Sequence, residues 1–527
     1  MTYNAIVVGG GVNGLVTAAY LAKGGKRTLL LERRATLGGI TVTEEFHPGY
    51  RANMCVDDAG WVPASVASDL GLAAHGYAPT LAASGLVVPL DGHAPLVLST
   101  DVSRAAEAIR RLSTADAAAW PGFCAMIARL TGFMEALYTV RPPDVHTNSV
   151  ADLLTMLSLG RRLRGLGKRG IVDLLRTVPM PIADLLDEWF EHPALKAALS
   201  MHGVLNVQHG PMSGGTALVF LHRHIGLPLG HIGGRRLTPG GVGALVAALA
   251  AAAKAAGVEV RTNAEVAEIT VENDAVSGVR LTSGEKIASS LVASAADPRR
   301  TFSTLIDPGD FDPEMLTAIE NIRMRGPAAR VHLALSGRPV FANSGHQWGD
   351  DALRGSIALV TTMKGIEKAY DAAKHGRVSE HPAILVTMPS LDDASFAPNG
   401  HHVVTAQVQY AAFKAKGGWT TAMREALGDA VVQTLAEVAP TLPSMIRHRT
   451  VLAPPDIAEQ FGVTEGSLMH GELALDQFLF MRPVPECARY RTPMRGLWLC
   501  GSGSHPGAGT AGATGMLAAK EILSAKS

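Results

Sequence analysis

Gly9, Gly11 and Gly14 fall on a GxGxxG spacing directly behind the apolar run at residues 4–8. Glycines so placed permit a tight turn, expose backbone N–H groups to a pyrophosphate and let the next helix pack closely on the strand, its positive end toward the phosphates. Glu32 closes a second apolar run at 28–31, at roughly the twenty-residue spacing from which a carboxylate accepts both hydroxyls of an adenosine ribose. Gly38 and Gly39 follow at once; a second bare stretch of backbone beside the same phosphates favours FAD bound lengthwise over NAD. Far along the chain, seven glycines crowd residues 501–515 between the apolar run 496–500 and a C-terminal helical stretch, so that backbone again meets a ligand at close range. His505 lies inside this loop and is the first choice for a base that removes a proton from the substrate, because an imidazole titrates near neutral pH; it would also serve by hydrogen-bonding the flavin ring or the loop. His470, beside Glu472 in HGELALDQ, is the second choice, and a capping role fits it equally. His209, His222, His224 and His231 follow no zinc-ligand spacing, so we expect no metal.

The elements that must position these residues are strand, glycine turn, helix and strand at the N-terminus. The same alternation returns at 239–301, with a PGG turn, an alanine-rich helix at 244–256, a short strand, a hairpin at Gly284 and an apolar run at 291–295. Sequential βα units build one sheet. We therefore expect an α/β fold whose Rossmann-type FAD-binding domain is assembled from three segments, 1–75, 237–301 and 487–527, leaving 76–236 and 302–486 for the substrate.

Composition narrows the class. The chain has 527 residues, 47 Lys and Arg against 47 Asp and Glu, and 47% hydrophobic residues; it can bury a large core, and its zero net charge argues against a nucleic-acid partner. Four cysteines with no CxxC pair point to buried thiols in a reducing compartment. The start of the chain lacks the charged-then-apolar order of a signal peptide, and the alanine run 244–253 is too short to span a bilayer. These features lead us to expect a cytoplasmic protein whose mature chain begins near Met1.

Beyond the two glycine-rich ends, the chain carries PGG at 239–241, NAEV at 263–266, SAADP at 294–298, FGVTEG, HGELALDQ and MRP within 459–483, and HPGAG at 505–509. In these motifs it resembles the FAD-dependent amine-oxidase-like flavoproteins and, within them, the phytoene-desaturase branch. The resemblance implies a mixed α+β substrate domain with a helical cap. It also implies that Gly9, Gly11 and Gly14 hold the FAD pyrophosphate and Glu32 the ribose, that Arg33, Gly38 and Gly39 line the phosphate and ribityl region, and that Val266 meets the adenine through its backbone. Gly501 would approach the pyrophosphate, and Gly512, Ala513 and Met516 would set the terminal helix's positive end against the flavin pyrimidine.

The activity implied is an FAD-dependent dehydrogenase, desaturase or oxidase that passes hydride from a largely apolar small molecule to flavin N5, with oxygen or a quinone as acceptor. A redox-neutral isomerase related to the carotenoid isomerases and a non-enzymatic flavoprotein remain open alternatives, and a homodimer is the default assembly. Residues 153–176 interleave Leu, Met and Ile with Arg161, Arg162, Arg164, Lys168, Arg169 and Arg176. Such a basic amphipathic segment suits peripheral contact with an anionic membrane surface; alternatively its arginines pair with Asp152, Asp173 and Asp187 in a solvated cap helix.

Overall fold

Alternating side chains set the first layer. In the computed structural model, which describes residues 3–144, 149–360 and 362–525, the first apolar run forms strand β1 (Ala5–Val8), buried throughout. The glycine turn leads to α1 (Val12–Lys23) and then β2 (Thr28–Leu31). Helix α2 (Gly243–Ala255), β3 (Glu259–Arg261), β4 (Val292–Ser294), β5 (Leu497–Leu499) and α3 (Ala513–Ser524) come from later parts of the chain. The five strands form one parallel sheet in the order β5, β4, β1, β2, β3. Ala5 and Val7 face the core shared with α1, α2 and α3. Ile6 and Val8 face the other way, onto an antiparallel meander of Val266–Glu272, Ala275–Leu281 and Lys286–Ala288. That period of two buries the sheet on both sides, as a parallel sheet requires.

The strand order reverses beside β1, and in such sheets the crevice at the carboxyl ends is where ligands bind. A second, seven-stranded sheet stands over that crevice, in the order Ile446–Leu452, Ala328–Leu335, His402–Gln409, Ala383–Thr387, Ser356–Leu359, Ser84–Leu90, His93–Ser99. Its neighbours are antiparallel except for the parallel pair Ser356–Leu359 with Ser84–Leu90, which makes the sheet mixed. Helix Thr421–Val438 packs on one face through Leu427, Val431 and Leu435. A helical layer built around the long helix Thr114–Tyr138 covers the other, through Trp120, Phe123 and Ile127.

The segment 153–176 is not one amphipathic run. It forms helices Val150–Gly165 and Gly167–Thr177, interrupted where Gly167 turns to φ +70°, a left-handed backbone that glycine adopts freely. In the first of these helices only Asp152 is buried. Among the described residues no helix is long and apolar enough to cross a membrane.

Candidate functional site

One cleft of about 2170 Å³ of empty space runs from the carboxyl ends of β1 and β4 to the seven-stranded sheet. Of the residues singled out in the sequence, Gly9, Gly11, Gly14, Glu32, Arg33, Gly38, Gly39, Val266, His470 and Gly501 line it. Glu32 is 6% exposed, and its two carboxylate oxygens accept from the backbone N–H of Gly10 (2.7 Å) and of Arg34 (2.9 Å). It therefore braces the glycine loop while remaining at the cleft wall. Val266 opens the meander beside Ala264 and Glu265. Arg33 donates to the carbonyl of Glu459; burial and the neighbouring Arg300 hold its pKa below the usual value.

Three glycines are set by contact distances. A Cβ on Gly14 would stand 2.0 Å from the carbonyl of Gly9, and one on Gly501 would stand 2.4 Å from that of Ala295, so neither position accepts a side chain. Gly11 differs. A Cβ there meets nothing within 4 Å; it would project into open space, while the Gly38 N–H donates to the Gly10 carbonyl at 2.9 Å and closes the second glycine pair onto the first loop. A bare-backbone cradle at a helix N-terminus suits a pyrophosphate, so the residues present fit FAD.

Asn13 joins the two ends of the chain. Its Nδ2 donates to the Ser502 hydroxyl at 2.9 Å, and its Oδ1 accepts from the Gly515 N–H at 3.1 Å. A Cβ on Gly515 would lie 2.3 Å from the Asn13 carbonyl, so α1 and α3 cross as closely as backbone allows. Sequence reasoning misses Asn13 although it sits inside the fingerprint. Gly512, at φ +83°, starts α3 and packs against Val16; Ala513 opens the helix, and Met516 lies in the core, accepting from the Ser65 hydroxyl at 3.2 Å. None of the three lines the cleft; Thr510 and Ala511, just before them, do.

The two histidines part company. His505 is 1% exposed and does not line the cleft. Its Nε2 donates to the Leu137 carbonyl at 3.3 Å, its ring stands edge-on to Tyr138, and its own carbonyl accepts from the Tyr490 hydroxyl. Burial pushes its pKa down to about 4. This places the first-choice base in the seam between the glycine loop and the helical layer. His470 lines the cleft, and its Nδ1 has no partner among the described residues; burial lowers its pKa, so the ring is neutral at pH 7.

The far part of the cleft combines apolar Leu205, Val219, Ile225, Leu227 and Leu385 with His202, Asn206, His222, Arg223, Thr387 and Gln407. His222 is fully engaged, its Nε2 donating to the Ala508 carbonyl (2.6 Å) and its Nδ1 accepting from the Tyr138 hydroxyl (2.9 Å). From the sequence this cluster prompts only the metal question; the signal that could have found it is the unusual run of basic residues in an otherwise apolar helix.

The sequence profile of the flavin containing amine oxidoreductases matches residues 13–523. The chain belongs to that family. It is 33% identical over 541 residues to the rat (Rattus norvegicus) pyridine nucleotide-disulfide oxidoreductase domain-containing protein 2, covering 99% of this chain and 93% of the relative. It is 28% identical to a limonene dehydrogenase polypeptide of Castellaniella defragrans, covering 98% and 94%. A neurosporene-forming phytoene desaturase of Cereibacter sphaeroides is 26% identical over 52% of this chain and 51% of its own. Among solved structures a putrescine oxidase variant superposes with a TM-score of 0.60 at 15% identity over the full length of both chains, which shows a shared fold. As a member of this family the chain is an FAD-dependent oxidoreductase. The disulfide chemistry in the rat relative's name has no counterpart here, since all four cysteines are free and buried, with thiol pKa values pushed up to about 12 by burial.

Proposed function

We propose that this oxidoreductase takes hydride from a largely apolar organic molecule, as a dehydrogenase, desaturase or oxidase, and returns the electrons to oxygen or a quinone. The observation that carries the reading is continuity: the glycine cradle and the side chains of Leu205, Val219, Ile225 and Leu385 line one and the same cleft. Relatives named for limonene and phytoene support an apolar substrate.

Bound FAD supplies a hydride acceptor. The chain's residues do the rest. Gly9, Gly11, Gly14, Gly38, Gly39 and Gly501 present backbone to the pyrophosphate, Glu32 and Arg33 hold the ribose and its phosphate, and Val266 meets the adenine. Gly512, Ala513 and Met516 set α3 behind the loop, where its positive end favours negative charge. The apolar walls exclude water. His470, neutral and without a protein partner on Nδ1, is the group in this site that can accept a proton, whereas His505 fixes the loop that forms one wall.

Anaerobic reduction of the purified protein followed by re-oxidation tests the acceptor. Fast recovery in air, with peroxide released, identifies an oxidase; slow recovery in air with fast recovery on a soluble quinone identifies a dehydrogenase or desaturase. Recovery with neither would overturn the proposed acceptors.

We further propose peripheral contact with an anionic bilayer through 153–176. The acids that could neutralise this segment are already engaged: Asp152 by Arg141 and Arg489, Asp173 by Arg129, and Asp187 by Lys196. Arg161, Arg162, Arg164, Lys168 and Arg169 have no ion pair among the described residues, while Leu153, Leu154 and Leu157 are more than half exposed beside them. Charge and apolar area together bind interfaces. The protein should sediment with vesicles containing phosphatidylserine and leave them at high salt; equal binding to neutral vesicles would contradict the charge argument.

A further inference from the structure

We infer that the oxidised molecule carries a carboxylate and that Arg223 is the residue that binds it in the substrate part of the cleft. The inference rests on the proposed function only in taking that cleft as the substrate's. Arg223 ends helix Thr216–Arg223, whose preceding seven residues are all buried, and its side chain lines the cleft. Among the described residues none of its nitrogens has a hydrogen bond or ion pair; Nε is sealed from solvent and unpartnered.

The neighbouring charges do not relieve it. Asp57 is held by the guanidinium of Arg330 at 2.7 Å and Asp58 by that of Arg236 at 3.2 Å; both attract Arg223 from a distance without touching it. Arg235 shares Asp392 at 3.6 Å. The three imidazoles that feel Arg223, those of His202, His222 and His224, are held neutral, mainly by burial and further by its charge. The cleft therefore presents one cation that the described residues leave unanswered.

An uncompensated guanidinium in a water-poor site is costly, and its planar fork matches a carboxylate through two parallel hydrogen bonds. His202 Nε2 and Thr387 Oγ1, which also line the cleft, are likewise buried without partners and are available to further oxygen atoms of the ligand. The remaining wall is apolar, so the ligand that satisfies both parts is an amphiphile with a single negative head and a hydrocarbon body. A fully apolar hydrocarbon would leave Arg223 unpaired.

Octanoate and 1-octanol, matched in chain length, are suitable probes for the purified holoenzyme, titrated against the flavin absorption spectrum and, independently, against the unfolding midpoint. Octanoate should bind at least about tenfold more tightly than octanol. Arg223→Gln should abolish that preference with FAD content unchanged, and Arg223→Lys, which keeps the charge without the fork, should retain part of it. Absent octanoate binding, equal affinity for the two probes, a preference that survives Arg223→Gln, or loss of FAD from that variant would each overturn the inference; tighter binding of octyl phosphate than of octanoate would replace the carboxylate with a phosphate. Should the wild-type protein hold no FAD, the proposed function fails, and the unfolding midpoint still decides the octanoate preference on its own.

Discussion

Glu32 does two jobs with one carboxylate. It braces the glycine loop through Gly10 and Arg34 and faces the space assigned to the ribose, so Glu32→Gln replaces a charged acceptor by an amide that must turn its NH2 toward a donor. We predict a rise of about ten- to a hundredfold in the FAD dissociation constant, the worth of one charge-assisted hydrogen bond, read by titrating the apoprotein. The two histidines should separate in the same way. His470→Gln should lower kcat at least about tenfold with little change in the unfolding midpoint, and His505→Gln should lower the midpoint while enzyme that retains FAD keeps kcat within a few-fold. The reverse pattern would exchange their roles. The fingerprint residues are legible because strand, turn and helix are local, and their glycines follow from covalent geometry. Sequence alone misplaces His505 because its surroundings, Leu137, Tyr138 and Tyr490, are remote in the chain, and Arg223 becomes conspicuous only once the partners of Asp57 and Asp58 are known.

Helices α1 and α3 are held together by backbone contact. Ala is ordinarily better than Gly inside a helix by roughly 0.5–1 kcal/mol. At Gly14, however, a Cβ would sit 2.0 Å from the Gly9 carbonyl, and at Gly515 it would sit 2.3 Å from that of Asn13. Gly14→Ala and Gly515→Ala should therefore each destabilise by about 2 kcal/mol or more, measured as a lower midpoint in urea; a gain in stability would show that the crossing relaxes. Apolar periodicity locates the strands well, and the second run at 28–31 is strand β2 (Thr28–Leu31) itself. It misses the break at Gly167, where a helical pattern of side chains continues across a backbone that does not.

At the scale of the molecule, the parallel sheet draws its five strands from both ends of the chain and from its middle. That assembly is legible because the βα alternation lapses and returns; the order of the seven-stranded sheet is not, since its register depends on pairings between distant strands. Buried imidazoles are distributed through both layers. Burial holds His222, His224 and His505 to about 4 and His332 to about 3, against about 6.5 in an unfolded chain. The unfolded state therefore binds more protons below pH 6.5, and stability should fall as pH drops from 6.5 toward 4, by up to about 1.4 kcal/mol per pH unit for each such histidine. Unfolding midpoints at pH 7.5, 6.5, 5.5 and 5.0 should decline with increasing steepness, and a flat profile would contradict this burial of neutral rings.

The most direct test of the whole account is the absorption spectrum and FAD-to-protein ratio of the chain purified in air, before and after incubation with excess FAD. The account predicts a yellow protein with about one FAD per chain, and a Glu32→Gln variant that loses it on dilution. A colourless protein that cannot be reconstituted would contradict the cofactor site on which every other step depends.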